Sequence, residues 1–403
     1  MDRTPDLGHA QATLKLAQRV DDIAPFHVME LAKQAALREK AGHHVIHMGI
    51  GEPDFTAPEA VIEAAVKAMR DGRTQYTGAM GIPALREAIA GYYRSFYGVE
   101  VEPSRIVVTA GASAALVLAC AALVGVGDEV LMPDPCYPCN RHFVSTFDGK
   151  PVLIPSGPAE RFQLTAERIE SHWGAATKGV LLASPSNPTG TSIETAELAR
   201  IVKAVRARGG FTLVDEIYQG LSYDSQPTTA LSFGDDVLVV SSFSKYFNMT
   251  GWRLGWLVVP PSMVSTFEKL AQNLFICPSA VAQHAATACF QPETMAIFEA
   301  RKNAFRERRD YVVPALERLG FQVPVMPDGA FYVYADCTGV SHPDAADSDR
   351  LTQSLLQQAD VVLVPGLDFG FAEPRRYIRL SYATSLEQLH EAMDRIGRVF
   401  AAG

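Results

Sequence analysis

Residues 105–123 read Arg105-Ile-Val-Val-Thr109-Ala-Gly111-Ala-Ser113-Ala-Ala-Leu-Val-Leu-Ala-Cys-Ala-Ala-Leu123. A short β-branched run, too apolar to keep a wet face, meets a glycine and then a stretch rich in alanine and leucine. That order predicts a buried strand, Arg105–Thr109, turning at Gly111 into a helix through Leu123. The pattern recurs downstream. Strands are expected at Glu129–Met132, Val152–Pro155, Gly179–Ala183, Phe211–Val214, Val237–Val240 and Leu254–Val259, with a helix from Thr195 to Arg208. Such alternation predicts an α/β fold, a mainly parallel sheet covered by helices on both faces.

Upstream, Thr56-Ala57-Pro58-Glu59 predicts a capping box opening a helix to about Asp71, and Pro83 opens another to about Tyr97. Downstream, helical patterns over Pro261–Phe290 and Glu293–Leu319 lead into a smaller α+β region. Strands are expected there at Phe331–Tyr334 and Tyr377–Tyr382, with a closing helix from Ser385 to Phe400. The 403 residues exceed what one core usually holds. The expected division is an arm and helix over 1–48, a large domain over 49–290 and a small domain over 291–403.

A hydrophobic share of 48% with 20% charged residues is that of a soluble globular chain. The net charge of −9 argues against nucleic acid, whose phosphates need clustered Lys and Arg. No run approaches the roughly 20 apolar residues that span a bilayer. The opening residues lack an apolar core behind a basic head, so a secretory signal is not expected and the cytoplasm is. Cys136 and Cys139 form a lone C-x-x-C with no second pair, read as reduced thiols rather than a metal or redox site. His43, His44 and His47 fit the alternation of a strand better than a metal site, and no metal is expected. Glu52 and Asp54 read as turn residues.

In a parallel α/β sheet, ligands bind beyond the carboxyl ends of the strands. The strand Val237–Val240 runs into Ser241-Ser242-Phe243-Ser244-Lys245 and then Met249-Thr250-Gly251-Trp252-Arg253. A lysine amine can condense with a carbonyl to a Schiff base, and Ser242 with Arg253 can serve a phosphate. Taken alone, Lys245 is equally a solvated loop lysine. Three other strand ends weigh against that. Phe211-Thr-Leu-Val-Asp215 closes an apolar strand with a carboxylate, costly to bury unless paired, and Tyr218 stands three residues on. Ala183-Ser-Pro-Ser-Asn187-Pro-Thr-Gly190 offers an amide in a rigid turn. Thr109-Ala-Gly111-Ala112-Ser113 presents free backbone N–H groups to an anion.

Together these segments resemble the pyridoxal-phosphate-dependent aminotransferases of class I and II, fold type I. The likeness runs from about Ile50 to the C-terminus. It is carried by Gly49-Ile-Gly-Glu-Pro-Asp-Phe55, Tyr76-Thr-Gly, Gly81-Ile-Pro-Ala-Leu-Arg86, Asp134-Pro-Cys-Tyr137-Pro, Ser184-Pro-Ser-Asn-Pro-Thr-Gly190 and Asp215-Glu-Ile-Tyr218. Ser242-Phe-Ser-Lys245, Met249-Thr-Gly-Trp-Arg253, Gly329-Ala-Phe-Tyr332 and Ile378-Arg-Leu-Ser381 complete it, in the family's order.

The resemblance implies pyridoxal 5'-phosphate as cofactor, held by Lys245 as a Schiff base, with the freed amine moving the proton of the substrate α-carbon. It implies that Asp215 pairs with the pyridinium nitrogen, that Tyr218 and Asn187 bond the ring's phenolic oxygen, and that Tyr137 lies over the ring. A plain core aromatic is the competing reading for Tyr137. The phosphate would be held at Gly111, Ala112 and Ser113, by Ser242 and Ser244, and by Arg253. Tyr76 would reach the neighbouring active site of a homodimer. Arg379 would bind the substrate carboxylate, with the backbone of Gly51 and with Asn187 beside it; an ordinary ion-pair arginine is the competing reading.

The phosphate segment, Gly111-Ala-Ser-Ala-Ala, is small where relatives carry longer polar residues. No second arginine stands in a family position known to read a distal carboxylate, so a neutral L-amino acid donor and a 2-oxo acid acceptor are expected. The same residues serve β-eliminating carbon–sulfur lyases, which is the first alternative. A ligand sensor without catalysis is the second, although no helix-turn-helix pattern precedes Gly49. The first 20 or so residues read as a mobile arm, and Asp22-Ile23-Ala-Pro25-Phe26 as a lid at the site's mouth.

Overall fold

The computed structural model of the chain describes residues 15–20, 23, 26–224 and 226–402. Most of the expected arm and most of the expected lid lie outside the described residues. Of the arm, Gln18–Val20 forms a 3-10 turn, and Arg19 pairs with Asp148 at 3.2 Å.

Twelve strands succeed one another in chain order: β1 Ile46–His47, β2 Ile106–Thr109, β3 Glu129–Asp134, β4 Lys150–Pro155, β5 Thr177–Ala183 and β6 Phe211–Asp215, then β7 Leu238–Ser242, β8 Gly255–Val258, β9 Tyr332–Asp336, β10 Val361–Val362, β11 Val364–Pro365 and β12 Tyr377–Ser381. Seven of them form one sheet in the order β2-β8-β7-β6-β5-β3-β4. It is parallel except for β8, which runs antiparallel to both β2 and β7.

Alternation along the strands explains why their sequences read as unbroken apolar runs. Val108, Val214 and Val239 point into one core, whereas Val107, Leu213, Leu238 and Val240 point into a second on the other face. Helix Gly111–Leu123 supplies the second core with Ala115, Leu116 and Ala119. With both faces buried, no position along the strand is left to be polar. The carboxyl ends of β2, β3, β5, β6 and β7 share one edge of the sheet, and the chemistry-bearing loops start there.

A second, three-stranded antiparallel sheet has the order β11-β12-β9, and β1 pairs in parallel with β10. Helices His27–Lys40, Pro292–Arg318, Ser348–Ala359 and Leu386–Ala402 pack around these strands.

Two expectations are corrected, a third holds with a change of helix type, and three helices were not foreseen. Helix Glu59–Arg70 begins without a capping box. Pro58 takes the N-cap position itself, with ψ of 154°, so Thr56 stands too far upstream to reach the first turn. The pattern over 261–290 is not one helix but Val264–Leu274 and Ala280–Ala286, flanked by 3-10 turns. Ile276 has φ of 65° and Pro278 stands two residues on, a pair that an α-helix cannot absorb. The helix from Pro83 ends at Tyr92 and continues to Tyr97 as a π-turn. Helices Pro138–Thr146, Ala166–His172 and Ser348–Ala359 were not expected. The last carries a legible signal, since the Asp347 carboxylate accepts from the N–H of Asp349 at 3.0 Å.

Candidate active site

A cavity of about 520 Å³ opens at the carboxyl edge of the large sheet, between it and the smaller sheet. Lys245 lies at its floor, three residues beyond β7. Its Nζ donates to Gly51 O at 2.5 Å. Burial pulls this amine down to about 8; Arg379 and Arg253 push the same way, against Glu52 and Asp215. A substantial neutral fraction near neutrality is what a nucleophilic or proton-moving amine needs.

Asp215 ends β6 and also lines the cavity. Its Oδ1 accepts from Ile217 N–H at 3.0 Å, and burial raises its carboxyl to about 6. No cation of the chain pairs with it among the described residues. Strand alternation turns the next residue, Glu216, the other way, where it accepts from Ala230 N–H at 2.6 Å. Tyr218 belongs to the same turn. Its hydroxyl lies 2.8 Å from that of Tyr332, and burial holds its proton on.

Asn187 is presented by the loop after β5 and accepts from Arg379 Nη1 at 2.8 Å. That bond occupies the amide oxygen and leaves the amide N–H groups for the cavity. Arg379, in the middle of β12, is 5% exposed. Its Nη2 donates to Gly49 O at 2.5 Å, its plane lies 4.6 Å from the Tyr332 ring and 4.8 Å from the Phe369 ring, and its Nε has no partner. No carboxylate of the chain pairs with Arg379 among the described residues, which removes the ordinary ion-pair reading. A buried guanidinium that lines a cavity and pairs with no carboxylate of its own chain suits an external carboxylate.

An anion cradle lies on the other side of Lys245. Gly111 has φ of 83°, and a Cβ there would come within 2.7 Å of Arg253 Nη2. The N-cap, Ala110, makes no side-chain bond to the helix it opens, so the first-turn N–H groups at Ala112 and Ser113 remain free toward the cavity. Arg253 itself is held with φ of 54° and braced by Thr250 O at 3.0 Å. Ser244 also lines this end. Ser242 does not; its Oγ lies 3.0 Å from Ser244 Oγ and 3.1 Å from Leu254 O, a brace for the loop.

Tyr137, beyond β3, lines the cavity. Tyr76 is 82% exposed and stands outside the cavity of its own chain. Asp54 forms a two-pronged pair with Arg308 at 2.7 and 2.8 Å, as a structural carboxylate does. His43 pairs with Asp360 at 3.1 Å and His47 with Glu39 at 2.8 Å. All six cysteines are free.

Apart from Phe26, expected within a lid at the site's mouth, sequence reasoning missed the roof of the cavity. Val28, Met29 and Ala32 from helix His27–Lys40, together with Phe26 and Phe369, close it. Asp368 fastens that helix, its two carboxylate oxygens accepting from His27 N–H at 2.7 Å and Val28 N–H at 2.9 Å. No local signal marks the other residues, because the helix meets the site only through tertiary packing. Tyr332 was visible inside Gly329-Ala-Phe-Tyr332, yet without a role.

The observed groups fit pyridoxal phosphate: an anion cradle, a carboxylate awaiting a cation, an amine of lowered basicity and a free guanidinium, arranged around one cavity. Known proteins agree with that fit. Residues 43–396 match the family described as aminotransferase class I and II. The chain is 38% identical to the valine–pyruvate aminotransferase of Mycobacterium tuberculosis, over 93% of this chain and 96% of that one. It is 33% identical to the aspartate aminotransferase of Geobacillus stearothermophilus, over 96% and 100%. The crystal structure of an aminotransferase from Mycobacterium tuberculosis superposes with a TM-score of 0.92 at 37% identity, covering 97% of this chain and all of that one. Strand ends, cavity and likeness converge, and the chain belongs to the class I and II aminotransferases, enzymes of fold type I that work with pyridoxal phosphate.

Proposed function

We propose that this enzyme transfers the amino group of a neutral, preferably apolar, L-amino acid to a 2-oxo acid. The observation that carries this reading is the lining of the cavity. Its cations are Lys245, Arg253 and Arg379, and the cofactor and the substrate α-carboxylate engage all three. Toward the roof the lining includes Phe26, Val28, Met29, Ala32, Ile50 and Phe369. The carboxylate of Asp368, which also lines it, is engaged by the N–H groups of His27 and Val28. A second substrate carboxylate placed there would be desolvated without a partner, whereas an aliphatic side chain would be favoured. Relatives bear names for both kinds of donor, valine and aspartate, so the lining is the discriminating feature.

Pyridoxal phosphate, when bound, supplies an electron sink for the substrate's α-carbon. Arg253 and the N–H groups at Ala112 and Ser113 hold its phosphate, with Ser244. Asp215 would pair with the ring nitrogen, Asn187 and Tyr218 would donate to the phenolic oxygen, and Tyr137 would cover the ring. Arg379 binds the α-carboxylate through its free N–H donors and thereby sets which α-bond is cleaved. Lys245 would move the proton of the substrate α-carbon, and Gly51 O, which accepts from its Nζ, would orient the amine.

The proposal includes a homodimer, supported by Tyr76 standing exposed outside its own cavity and by the exposed run Leu274, Phe275 and Ile276. It includes the division into 1–48, 49–290 and 291–403, supported by the separate sheets. A cytoplasmic setting is proposed on the free cysteines. No described helix is long and apolar enough to cross a membrane.

The test is to load the protein with pyridoxal phosphate and add single amino acids without acceptor. Valine, leucine or alanine should convert the cofactor's absorption to that of its amino form, a 2-oxo acid should restore it, and Lys245→Ala should abolish the cycle. A kcat/KM for aspartate well above those values overturns the substrate class. Pyruvate and ammonia released from a β-substituted amino acid, with the band unchanged, would mean a lyase.

A further inference from the structure

Three parts of the active site, Tyr218, Gly51 and Arg379, meet on one side chain to which no role has been given. Tyr332 opens β9 and is 1% exposed. Its hydroxyl lies 2.8 Å from that of Tyr218. A Cβ at Gly51 would strike the same hydroxyl, so the Gly51 backbone, whose carbonyl accepts from Lys245, is packed directly on it. Its ring lies 4.6 Å from the Arg379 guanidinium and meets the Tyr218 ring edge-on at 5.7 Å.

Either hydroxyl of the Tyr218–Tyr332 pair can donate, and the role proposed for Tyr218 selects the direction. Each phenol carries one O–H and burial keeps both protonated. Among the described residues, Tyr218 is the hydrogen-bond partner that the Tyr332 hydroxyl has. The bond between them uses one of the two protons, and the other needs an acceptor from outside the pair. With Tyr332 as donor, the proton of Tyr218 is left for a group bound in the cavity that both residues line, the arrangement that the role proposed for Tyr218 requires. Donation into the Tyr218 oxygen also polarises that phenol and makes it a stronger donor in its turn.

We propose that Tyr332 is a positioning residue of the transamination site: its hydroxyl donates to Tyr218, so that the Tyr218 proton is aimed at the cofactor's phenolic oxygen, while its ring supports the Arg379 guanidinium. This rests on the cofactor and substrate roles proposed for Tyr218 and Arg379. The Tyr218 bond competes with the lysine-bound proton for the same ring oxygen. A weaker Tyr218 donor therefore makes that proton harder to remove.

The experiment is a pH titration of the absorption band of the cofactor-loaded enzyme, without substrate, in the unaltered protein, Tyr332→Phe, Tyr218→Phe and the double variant. Tyr332→Phe keeps the ring and should move the midpoint upward by about half to one pH unit. The same substitution in the Tyr218→Phe background should move it by less than about a quarter of that. KM for the amino donor should stay within about two-fold, because the Arg379 contact survives. Tyr332→Leu, which removes the ring, should raise that KM by about ten-fold. An unmoved midpoint in Tyr332→Phe, or an equal shift in both backgrounds, overturns the relay. An unchanged KM in a cofactor-binding Tyr332→Leu overturns the support of Arg379. Absence of the band in the unaltered enzyme overturns the site assignment, and this inference with it.

Discussion

The floor and the roof of the cavity are built on opposite principles. At the floor, polar groups are buried with their partners withheld. Among the described residues Asp215 pairs with no cation and Arg379 keeps an orphan Nε, and Lys245 is held below its ordinary basicity. At the roof, side chains are apolar and undemanding, and Asp368 has both carboxylate oxygens occupied by the N–H groups it fastens. The floor is destabilised in the free chain so that cofactor and substrate complete it. The roof is complete already, and under the proposed function it would select by shape and polarity. Changes at the floor should therefore act on chemistry for every substrate, and changes at the roof on the choice among substrates.

Among the residues that would bind the amino donor, the largest effect is expected at Arg379. Arg379→Ala should lower kcat/KM for all amino donors by about 10²–10³-fold, since the α-carboxylate loses its buried partner. Steady-state kinetics with alanine and valine checks this, and a loss confined to one donor would place Arg379 at the roof instead.

Asp215 gives a test in the absence of cofactor. Its carboxyl stands at about 6 in the folded chain against 3.8 ordinarily, so the folded form binds that proton more tightly than the unfolded one. The contribution to stability is then best below 3.8, declines as pH rises to about 6, and stays at its low value above. Asp215→Asn should accordingly stabilise the apoprotein near neutral pH by on the order of 2–3 kcal/mol, while disabling the enzyme. Urea unfolding near neutrality and again near the acid limit checks it. Equal stabilisation at both would mean the gain is not electrostatic.

At the roof, Asp368→Ala leaves two helix N–H groups unfastened over the cavity. We expect kcat/KM for valine and leucine to fall by roughly ten-fold and that for alanine to change by less than about two-fold. A uniform loss would assign Asp368 to the floor. The smallest effect is expected at Met29, which lines the cavity but is 56% exposed. Met29→Ala should cost leucine about three- to five-fold in kcat/KM and leave alanine unchanged, read by direct competition between the two donors.

Much of the floor was legible because each part is local. A buried strand must end, and the few residues just past its end are carried to the same edge of the sheet. Lys245 after β7, Asp215 at the end of β6, Asn187 after β5 and Gly111 after β2 could all be found that way. The helix Gly111–Leu123 was also read at its observed bounds, because a glycine of positive φ separates two strongly different compositions. Boundaries failed where local signals conflict, as at Thr56–Glu59, and where a single residue in the left-handed region breaks a helical pattern, as at Ile276.

By itself, then, the sequence determined the α/β class, the family and the residues at the strand ends, because strand burial and loop chemistry are encoded over short spans. Tertiary structure decided what those residues meet. Asn187 and Arg379 are bonded across 192 positions, Tyr218 and Tyr332 across 114, and Asp368 holds a helix that begins 341 positions earlier. Contacts of such separation leave no periodicity or spacing in a single sequence. They exist only because burial of two apolar cores and the small sheet brings the strand ends, β9, β12 and helix His27–Lys40 around one cavity.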